Sequence, residues 1–345
     1  MASSNNDTEG HLKLDGNLFK NGTLNRPESQ FRNWVSNKSD AEFPAEANRY
    51  HLYISYACPW AHRTLIVRKL KGLEEIIPFT SVHWDLKERG WPFAKAETED
   101  ASLNVVPDPY HKDARHIRDV YLEQAPNYPG RFTVPVLFDK KQRKIVSNES
   151  SEIIRMFYKS FDHLLAPQYQ KIDLLPSTLE AEIDATNDWT YNDINNGVYK
   201  TGMAITQEAY ETAVTHLFSS LDRVEAHLSS ASHTGPFYHG AHITEADVRL
   251  YPTIIRFDAV YVQHFKCNIR DIRSGYPAIH RWLRNVYWDV SAFRDTTNFE
   301  HIKRHYTMSH RMINPHGITP VGPLPHILGK ENEVPAAAAA AGSRL

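Results

Sequence analysis

The chain has 345 residues, of which 41% are hydrophobic and 23% charged, so it is long enough for a buried core and for two domains. Its 39 lysine and arginine residues nearly balance its 41 aspartate and glutamate residues, which argues against nucleic acid or an anionic membrane as a partner. The two cysteines, Cys58 and Cys267, exclude a disulfide framework and indicate a reducing compartment. The sequence contains no stretch of about 20 apolar residues, so it predicts no membrane span, and its first residues lack the apolar run of a signal peptide. We therefore expect a cytoplasmic globular protein that binds a small molecule.

The first part of the chain predicts an arm followed by a strand-helix-strand unit. Residues up to about 48 are polar and rich in asparagine, and we expect them to be extended. HLYIS then predicts a strand, Cys58 and Pro59 open a helix, and a second strand follows at about 79–84. Parallel strands in such a unit need the helix as their crossover. Residues 86–131 are polar and interrupted by proline, so we interpret them as an irregular insertion.

Regular structure resumes after this insertion. TVPVLFD and KIVSN predict two strands joined by the charged turn KKQR, and NESSEIIRMFY predicts a helix with Phe157 facing inward. From about residue 172 to residue 306, long helical periodicities replace the strand signals, which predicts an all-helical second domain. Within it, Thr244 and Asp247 form a capping box that starts a helix.

Cys58 lies where the first predicted strand ends and its helix begins. Backbone N–H groups and the positive end of the helix dipole face a sulfur at such a position, which favours the reactive thiolate. A buried, inert thiol is the ordinary interpretation of a single cysteine, but the strand-to-helix turn CPWAHR favours reactivity. Ala61 stands where a dithiol motif would have its second cysteine, so an external thiol has to regenerate Cys58.

Two further motifs offer such a thiol a binding place. The proline at Val134-Pro135 predicts a strand edge, and a cis bond there would expose backbone groups to an extended peptide. Glu149 and Ser150 begin a helix, where backbone N–H groups and a hydroxyl suit a carboxylate and Glu149 suits an ammonium group. Together they fit a γ-glutamyl group. The alternative is an ordinary helix cap formed by Asn148 or Ser150.

Five segments of the chain resemble one known family. They are YISYACPWAHRTLIVRKLKGL, GRFTVPVLFDKK, IVSNESSEIIRMFY, DINNGVYKTGMA and HYTMSHRMINPHGITPVGP. They are similar to the glutathionyl-hydroquinone reductases, the xi class of glutathione transferases, and the resemblance runs from about residue 10 to residue 328. TVPVL and ES are shared by many transferase classes, whereas CPWAHR, NNGVYK and the NP-x-GI-x-P-x-GP ending are specific to this group.

The resemblance implies the glutathione transferase fold, which joins an α/β thioredoxin-like N-terminal domain to an all-α C-terminal domain, and it implies a homodimer. The chain then divides into an N-terminal extension at 1–48, a thioredoxin-like domain at 49–165 with the insertion at 86–131, an all-helical substrate domain at 171–328 and a disordered tail at 329–345. Carried onto matching positions, the nucleophile is Cys58, and the residues that bind the co-substrate glutathione are Trp91, Arg118, Val134, Glu149 and Ser150.

The activity that the resemblance implies is the reduction of glutathionyl-hydroquinones, which are small aromatic glutathione conjugates, to hydroquinones. The Cys58 thiolate would attack the glutathione sulfur and form a mixed disulfide, which a second glutathione releases. The hydroquinone needs hydrogen-bond donors, an aromatic wall and a proton, and the matching tyrosines are Tyr199 and Tyr306, with Tyr261 as a further candidate. The chain has 17 tyrosines, so motif context rather than residue type selects these three.

Two other functions stay open. An omega-type thioltransferase or dehydroascorbate reductase would use the same cysteine and glutathione site, and Tyr199 and Tyr306 would then scarcely matter. A non-catalytic binding protein of the same fold would need no reactive Cys58.

Two remaining sequence features lie in the last part of the chain. His301 and His305 have an i, i+4 spacing that can bind zinc, but no HExxH pattern surrounds them. We therefore interpret them as solvated residues of a helix face and expect no metal. Ser343-Arg344-Leu345 is a close variant of the peroxisomal SKL signal, so import into peroxisomes is an expectation beside a cytoplasmic location.

Overall fold

The computed structural model describes residues 19–20, 23–24, 28–95 and 101–330. These residues form two compact units. The first unit contains residues 28–95, 101–172 and 300–317, and the second contains residues 19–20, 23–24, 173–299 and 318–330. Residues 1–18 of the predicted arm lie outside the described residues. Residues 331–345, which include most of the predicted tail and the C-terminal tripeptide, lie outside them as well. Among the helices in the described part of the chain, none combines the length and apolar character needed to cross a membrane.

The described residues contain eight strands. Two short pairs precede the main sheet: β1 is antiparallel to β2, and β3 is parallel to β4. The main sheet has the order β6-β5-β7-β8 and belongs to the first unit. The strand bounds are Phe19–Lys20 (β1), Thr23–Leu24 (β2), Val35–Ser36 (β3), Phe43–Pro44 (β4), Tyr50–Ile54 (β5), Phe79–Ser81 (β6), Val136–Asp139 (β7) and Lys144–Ser147 (β8).

The described residues also contain thirteen α-helices. Helices α1 to α4 and α13 belong to the first unit, and α5 to α12 belong to the second. The helix bounds are Pro59–Leu70 (α1), Ile117–Gln124 (α2), Ser150–Lys159 (α3), Pro167–Gln170 (α4), Glu180–Thr190 (α5), Gly197–Gly202 (α6), Gln207–Ser229 (α7), Glu245–Arg256 (α8), Val262–His264 (α9), Ile272–Gly275 (α10), Pro277–Asp289 (α11), Ser291–Arg294 (α12) and Phe299–Ser309 (α13).

The core of the first unit is the predicted strand-helix-strand unit. Strand β5 is parallel to β6 and antiparallel to β7, with Tyr53 opposite Val136, so α1 is the crossover that the sequence predicts. All five residues of β5 are buried, and α1 is buried from Pro59 to Arg68. The helix gives way to Gly72, which has a φ of 61°. A Cβ there would also lie 2.5 Å from the Tyr169 ring, so backbone conformation and packing both require glycine.

The predicted insertion at 86–131 contains regular structure. Helix α2 lies within it and buries Ile117, Val120 and Tyr121. The prediction that this stretch is irregular was therefore wrong for its second half. The i, i+3, i+4 spacing of these three apolar residues is the signal of a short amphipathic helix, and the surrounding prolines obscured it.

The second unit is helical, as the sequence predicts, and two π-helical turns interrupt its α-helices. They span Tyr191–Asn195, between α5 and α6, and Phe257–Tyr261, between α8 and α9. The Asn195 side chain on the first turn donates a 2.8 Å hydrogen bond to the Thr253 hydroxyl on α8. Such turns often occur at functional sites, because they re-aim the side chains that they carry.

The predicted capping box at Thr244 and Asp247 is confirmed, and it does more than start α8. Asp247 accepts hydrogen bonds from the backbone N–H and hydroxyl of Thr244, and its other oxygen accepts one from Tyr238 N–H and one from Trp282 Nε1, both at 2.8 Å. The buried carboxylate therefore joins the start of α8 to the preceding loop and to α11.

Helix α13 departs from the predicted domain ranges. The sequence places it in the helical domain at 171–328, but residues 300–317 group with the first unit. Its contacts explain this grouping: the rings of His301 and Tyr56 meet edge to face at 5.6 Å, and His305 Nδ1 lies 2.8 Å from the carbonyl oxygen of Trp84. Sequence distance hides such contacts, because they join residues more than 200 positions apart.

The buried histidine of β5 predicts a pH-dependent stability. Burial lowers the pKa of His51 to about 3, and its Nε2 lies 3.0 Å from Thr80 Oγ1. Histidine in the unfolded chain has a pKa near 6.5. Between these two values the unfolded chain binds a proton that the folded chain does not, so the free energy of unfolding falls as the pH falls below about 6.5.

We expect this proton to lower the free energy of unfolding by about 2 kcal/mol between pH 6.5 and pH 5. His51→Gln keeps a donor for Thr80 and removes the titrating ring, so its stability should fall less with pH than that of the wild type. Urea denaturation at both pH values measures the difference. The matched control is His242→Gln, at an exposed position. An unchanged pH slope in His51→Gln would contradict this origin of the acid sensitivity.

Candidate active site

Cys58 stands at the start of α1, where the sequence predicts it. It is the N-cap residue with extended backbone (φ −76°, ψ 118°), its side chain makes no capping hydrogen bond, and Pro59 follows at the first helical position. The first turn of α1 carries no acidic residue that would oppose a thiolate. Cys58 is buried, with 8% of its residue surface exposed.

The sulfur of Cys58 lies beside the backbone that precedes β7. Cys58 Sγ donates a hydrogen bond to the carbonyl oxygen of Val134 at 3.3 Å. Val134 is 3% exposed, and its peptide bond to Pro135 is cis. The structure thus brings together two residues that are 76 positions apart and that the sequence predicts as one site.

Glu149 is the N-cap residue of α3, and its carboxylate is held on both oxygens. Oε1 accepts hydrogen bonds from Ser151 N–H at 3.0 Å and from Ser151 Oγ at 2.8 Å, and Oε2 accepts one from Ser29 Oγ at 2.9 Å. Burial raises the pKa of Glu149, but these hydrogen bonds and the charge of Arg63 outweigh it and lower the pKa overall. The carboxylate is therefore negatively charged at neutral pH. Ser150, the first residue of α3, is buried beside it.

The ordinary cap that the sequence left open is not formed by Asn148. Its side chain accepts a hydrogen bond from Phe31 N–H at 3.2 Å and donates one to the Tyr121 hydroxyl at 3.1 Å, so it joins the backbone at Phe31 to α2. Glu149 performs the capping instead.

Arg63 is a charged residue of the site that the sequence analysis did not select. It is 1% exposed on α1, and its guanidinium carbon lies 4.5 Å from the centre of the Trp60 ring. Its positive charge lowers the pKa of the Glu149 carboxyl, but by less than the hydrogen bonds from Ser151 and Ser29 do. The signal was present in the motif CPWAHR, whose arginine is on the same helix as Cys58.

Arg118, which the sequence predicts as a glutathione-binding residue, lies on α2 beside an aromatic ring. Its guanidinium carbon lies 5.2 Å from the centre of the Phe132 ring. Its Nε is buried and has no hydrogen-bond acceptor among the residues that the structure describes. A buried donor of this kind can bind a ligand carboxylate.

Trp91 is buried and stacks on a histidine of α13. The rings of Trp91 and His305 are 4.6 Å apart at an interplanar angle of 24°. His305 Nδ1 lies 2.8 Å from the Trp84 carbonyl oxygen, which can only accept, so Nδ1 carries the proton. The interpretation of His301 and His305 as solvated residues was wrong, because they are 2% and 6% exposed. Within the described ranges no group of three metal-ligating side chains is assembled.

The three predicted tyrosines are divided between the two units. Tyr306, on α13 in the first unit, is 1% exposed, and its ring lies 5.2 Å from His305 and 5.5 Å from His310. In the second unit, the rings of Tyr199 and Tyr261 lie 6.2 Å apart.

Phe265 completes the second-unit cluster. Its ring centre is 5.3 Å from that of Tyr199 and 5.4 Å from that of Tyr261, which it faces in parallel. Tyr261 ends one of the π-helical turns, and Tyr199 lies in α6, just after the other. The sequence analysis did not select Phe265.

Comparisons with known proteins agree with this architecture. A family model described as the N-terminal domain of glutathione S-transferase matches residues 57–160, and one described as the C-terminal domain matches residues 207–285. Glutathione S-transferase omega-like 2 of Schizosaccharomyces pombe is 52% identical over 309 residues, which cover 89% of this chain and 96% of the relative.

Two further relatives identify the class. The crystal structure of the xi glutathione S-transferase of Phanerochaete chrysosporium aligns with a TM-score of 0.84 at 55% identity and covers 89% of this chain and 95% of that one. The glutathionyl-hydroquinone reductase YqjG of Escherichia coli is 45% identical, with 88% of this chain and 89% of the relative covered. Its glutathione-bound structure aligns with a TM-score of 0.78 and covers 85% and 92% of the two chains. This chain is therefore a glutathione-dependent enzyme of the xi class of glutathione transferases, the family of the glutathionyl-hydroquinone reductases.

Proposed function

We propose that this enzyme reduces glutathionyl-hydroquinones to hydroquinones, with Cys58 as the nucleophile. The observation that carries the proposal is the position of the Cys58 sulfur, at the start of α1 and 3.3 Å from the carbonyl oxygen of Val134. A thiol in this setting lies next to a stretch of backbone that can bind an extended peptide, and glutathione is such a peptide. The name of the E. coli relative supports the same substrate class.

Glutathione would be bound by residues of the first unit. The backbone of Val134 would pair with its cysteinyl part, and the charged Glu149 would bind its γ-glutamyl ammonium group. The Ser150 hydroxyl and the N–H groups at the start of α3 would bind the γ-glutamyl carboxylate. Arg118, with its buried donor, and Trp91, whose ring is fixed against His305, would hold the remaining parts.

The first chemical step forms a sulfur–sulfur bond and breaks a sulfur–carbon bond. The Cys58 thiolate attacks the glutathione sulfur of the conjugate and gives a Cys58–glutathione mixed disulfide. The electron pair of the broken bond goes to the ring carbon, which takes up a proton and leaves as the hydroquinone.

The second step regenerates the enzyme. A glutathione thiolate attacks the mixed disulfide, releases oxidised glutathione and restores the Cys58 thiolate. Two glutathione sulfurs are thus oxidised to one disulfide while the ring carbon is reduced by two electrons, so atoms and electrons balance.

The ring requires a donor for its proton and partners for its hydroxyls. Tyr199, Tyr261 and Tyr306 would supply them, because a phenol offers both a hydrogen bond and an aromatic face. The parallel packing of Tyr261 on Phe265 and the edge contact of Tyr306 with His305 fix these rings in place, which supports a role in orienting a substrate.

The test of the reaction is the release of hydroquinone from its glutathionyl conjugate in the presence of excess glutathione. We expect Cys58→Ala to abolish release, because no other group forms the mixed disulfide. Cys267→Ala is the matched control: burial raises the pKa of that thiol, so it stays protonated and takes no part. Mass spectrometry of wild type incubated with the conjugate alone should find one glutathionyl group on Cys58. Release that survives in Cys58→Ala would refute the mechanism.

An omega-type thioltransferase is the second candidate, and the name of the S. pombe relative favours it. The two functions differ in their need for the tyrosines. For a hydroquinone reductase we expect Tyr306→Phe to reduce hydroquinone release while transfer of glutathione from a small mixed disulfide continues. Wild type that performs this thiol transfer but releases no hydroquinone would establish the omega-type function instead. Phe in place of Tyr keeps the ring, so the comparison isolates the hydroxyl.

Gly202 gives a second way to test the tyrosine cluster. A Cβ at this position would lie 2.2 Å from Phe265 Cδ1, so Gly202→Ala has to displace the ring against which Tyr199 and Tyr261 pack. We expect about a tenfold loss of kcat/KM for hydroquinone release, since a small misplacement of orienting groups is costly. Thiol transfer by the first unit should continue. Gly322→Ala is the control, because its Cβ would enter open space. If both variants released hydroquinone equally well, the tyrosine cluster would have no role in orienting the substrate.

We also propose that the enzyme is a homodimer, which the resemblance to the xi class supports. Light scattering should then give twice the chain mass of 39.6 kDa, and a value at the chain mass would overturn the proposal. Import into peroxisomes through Ser343-Arg344-Leu345 stays a prediction.

A further inference from the structure

Residues 29–36 are called the N-terminal segment below. Residues 29–33 of this segment extend the main sheet of the first unit. Asn148 N–H donates to the Phe31 carbonyl and Asn33 N–H donates to the Val146 carbonyl, both at 3.0 Å. Arg32 and Ser147 form an antiparallel bridge between these bonds. The segment therefore covers the free edge of β8, directly before the start of α3.

Side chains hold the segment in this position. The guanidinium group of Arg32 forms an ion pair with Glu152 on α3. The ring of Phe31 lies 5.7 Å from that of Tyr121 and 5.4 Å from that of Tyr128. Further along, Ser160 Oγ at the end of α3 donates a 2.7 Å hydrogen bond to the Val35 carbonyl. Contacts near the start and at the end of α3 thus hold the N-terminal segment in place.

Ser29 reaches the glutathione site from this segment. Its Oγ lies 2.9 Å from Glu149 Oε2 and 3.3 Å from the carbonyl oxygen of Asn148. A hydroxyl has one proton to donate, and the shorter contact to a charged oxygen is the stronger hydrogen bond.

We propose that Ser29 is a positioning residue for glutathione binding, which acts by fixing the Glu149 carboxylate toward the ammonium group of the γ-glutamyl part. This inference rests on the role that the proposed function gives to Glu149.

The number of acceptor positions supports this role. An ionised carboxylate offers about four lone-pair positions. Ser151 occupies two on Oε1, and Ser29 occupies one on Oε2. One position on Oε2 stays available for an ammonium N–H, and Ser29 helps to set its direction, because its hydrogen bond to Oε2 adds to the two from Ser151 that hold Oε1.

Charged groups around Glu149 do not replace this hydrogen bond. Arg63 acts on it from α1, and Arg32 of the N-terminal segment acts on it while paired with Glu152 of α3. These charges stabilise the anion without directing its lone pairs. The Ser29 hydroxyl does both, so its loss should change the binding of a cation to Glu149 and the titration of Glu149 together.

The test measures the dissociation constant of glutathione by calorimetry in full-length variants. We expect Ser29→Ala to weaken binding about tenfold, as is typical of losing a hydrogen bond to a charged group. Ser29→Thr keeps the hydroxyl and should restore most of the affinity. Affinity falls when Glu149 takes up a proton, so in Ser29→Ala the fall on acidification should begin at a higher pH than in wild type.

Ser160→Ala is the matched control, because it removes a serine hydroxyl that anchors the same segment without touching Glu149. Wild-type affinity in Ser160→Ala together with weakened binding in Ser29→Ala supports the proposal. Unchanged binding in Ser29→Ala overturns it, and so does equal weakening in both variants, which would show that docking of the segment is what matters. Hydroquinone release by wild type is measured in the same series: its absence would refute the proposed reaction, while the glutathione affinities would still decide the role of Ser29.

Discussion

A negative charge that is partly removed from water needs hydrogen-bond donors around it, and the half-buried carboxylate of Glu149 is where that constraint governs the candidate site. A buried carboxylate without such partners would cost several kcal/mol or take up a proton. Ser151 supplies two donors from α3, Ser29 supplies one from the N-terminal segment, and Arg63 supplies a positive charge from α1. Three stretches that are distant in sequence must therefore come together before the site has its charge.

The local parts of this arrangement could be predicted from sequence. The strand before Cys58, its helix and the parallel strand β6 follow from hydrophobic pattern and proline placement, and the capping box at Thr244 and Asp247 follows from spacing alone. Each of these signals acts within about one helical turn or one strand, which is the range over which sequence pattern constrains the backbone.

The non-local parts could not be predicted in this way. Nothing in the neighbourhood of His305 indicates that it stacks on Trp91, and the i, i+4 spacing of the two histidines of α13 suggested solvated residues. Arg63 and Ser29 were missed for the same reason, since each acquires its role from a partner that only the fold supplies. Helix α2 was missed although its signal is local, because prolines on both sides favour an irregular segment.

The return of α13 to the first unit bears on the order in which the protein takes shape during synthesis. Domains usually fold as they leave the ribosome, beginning with the N-terminal one. Here residues 300–317 emerge after the whole stretch from 173 to 299, which belongs to the second unit. Until then Trp91 and Tyr56 have not received the histidine rings that cover them. The unit that is translated first is thus completed last, and a nascent chain that stops before residue 300 leaves its cysteine domain unfinished.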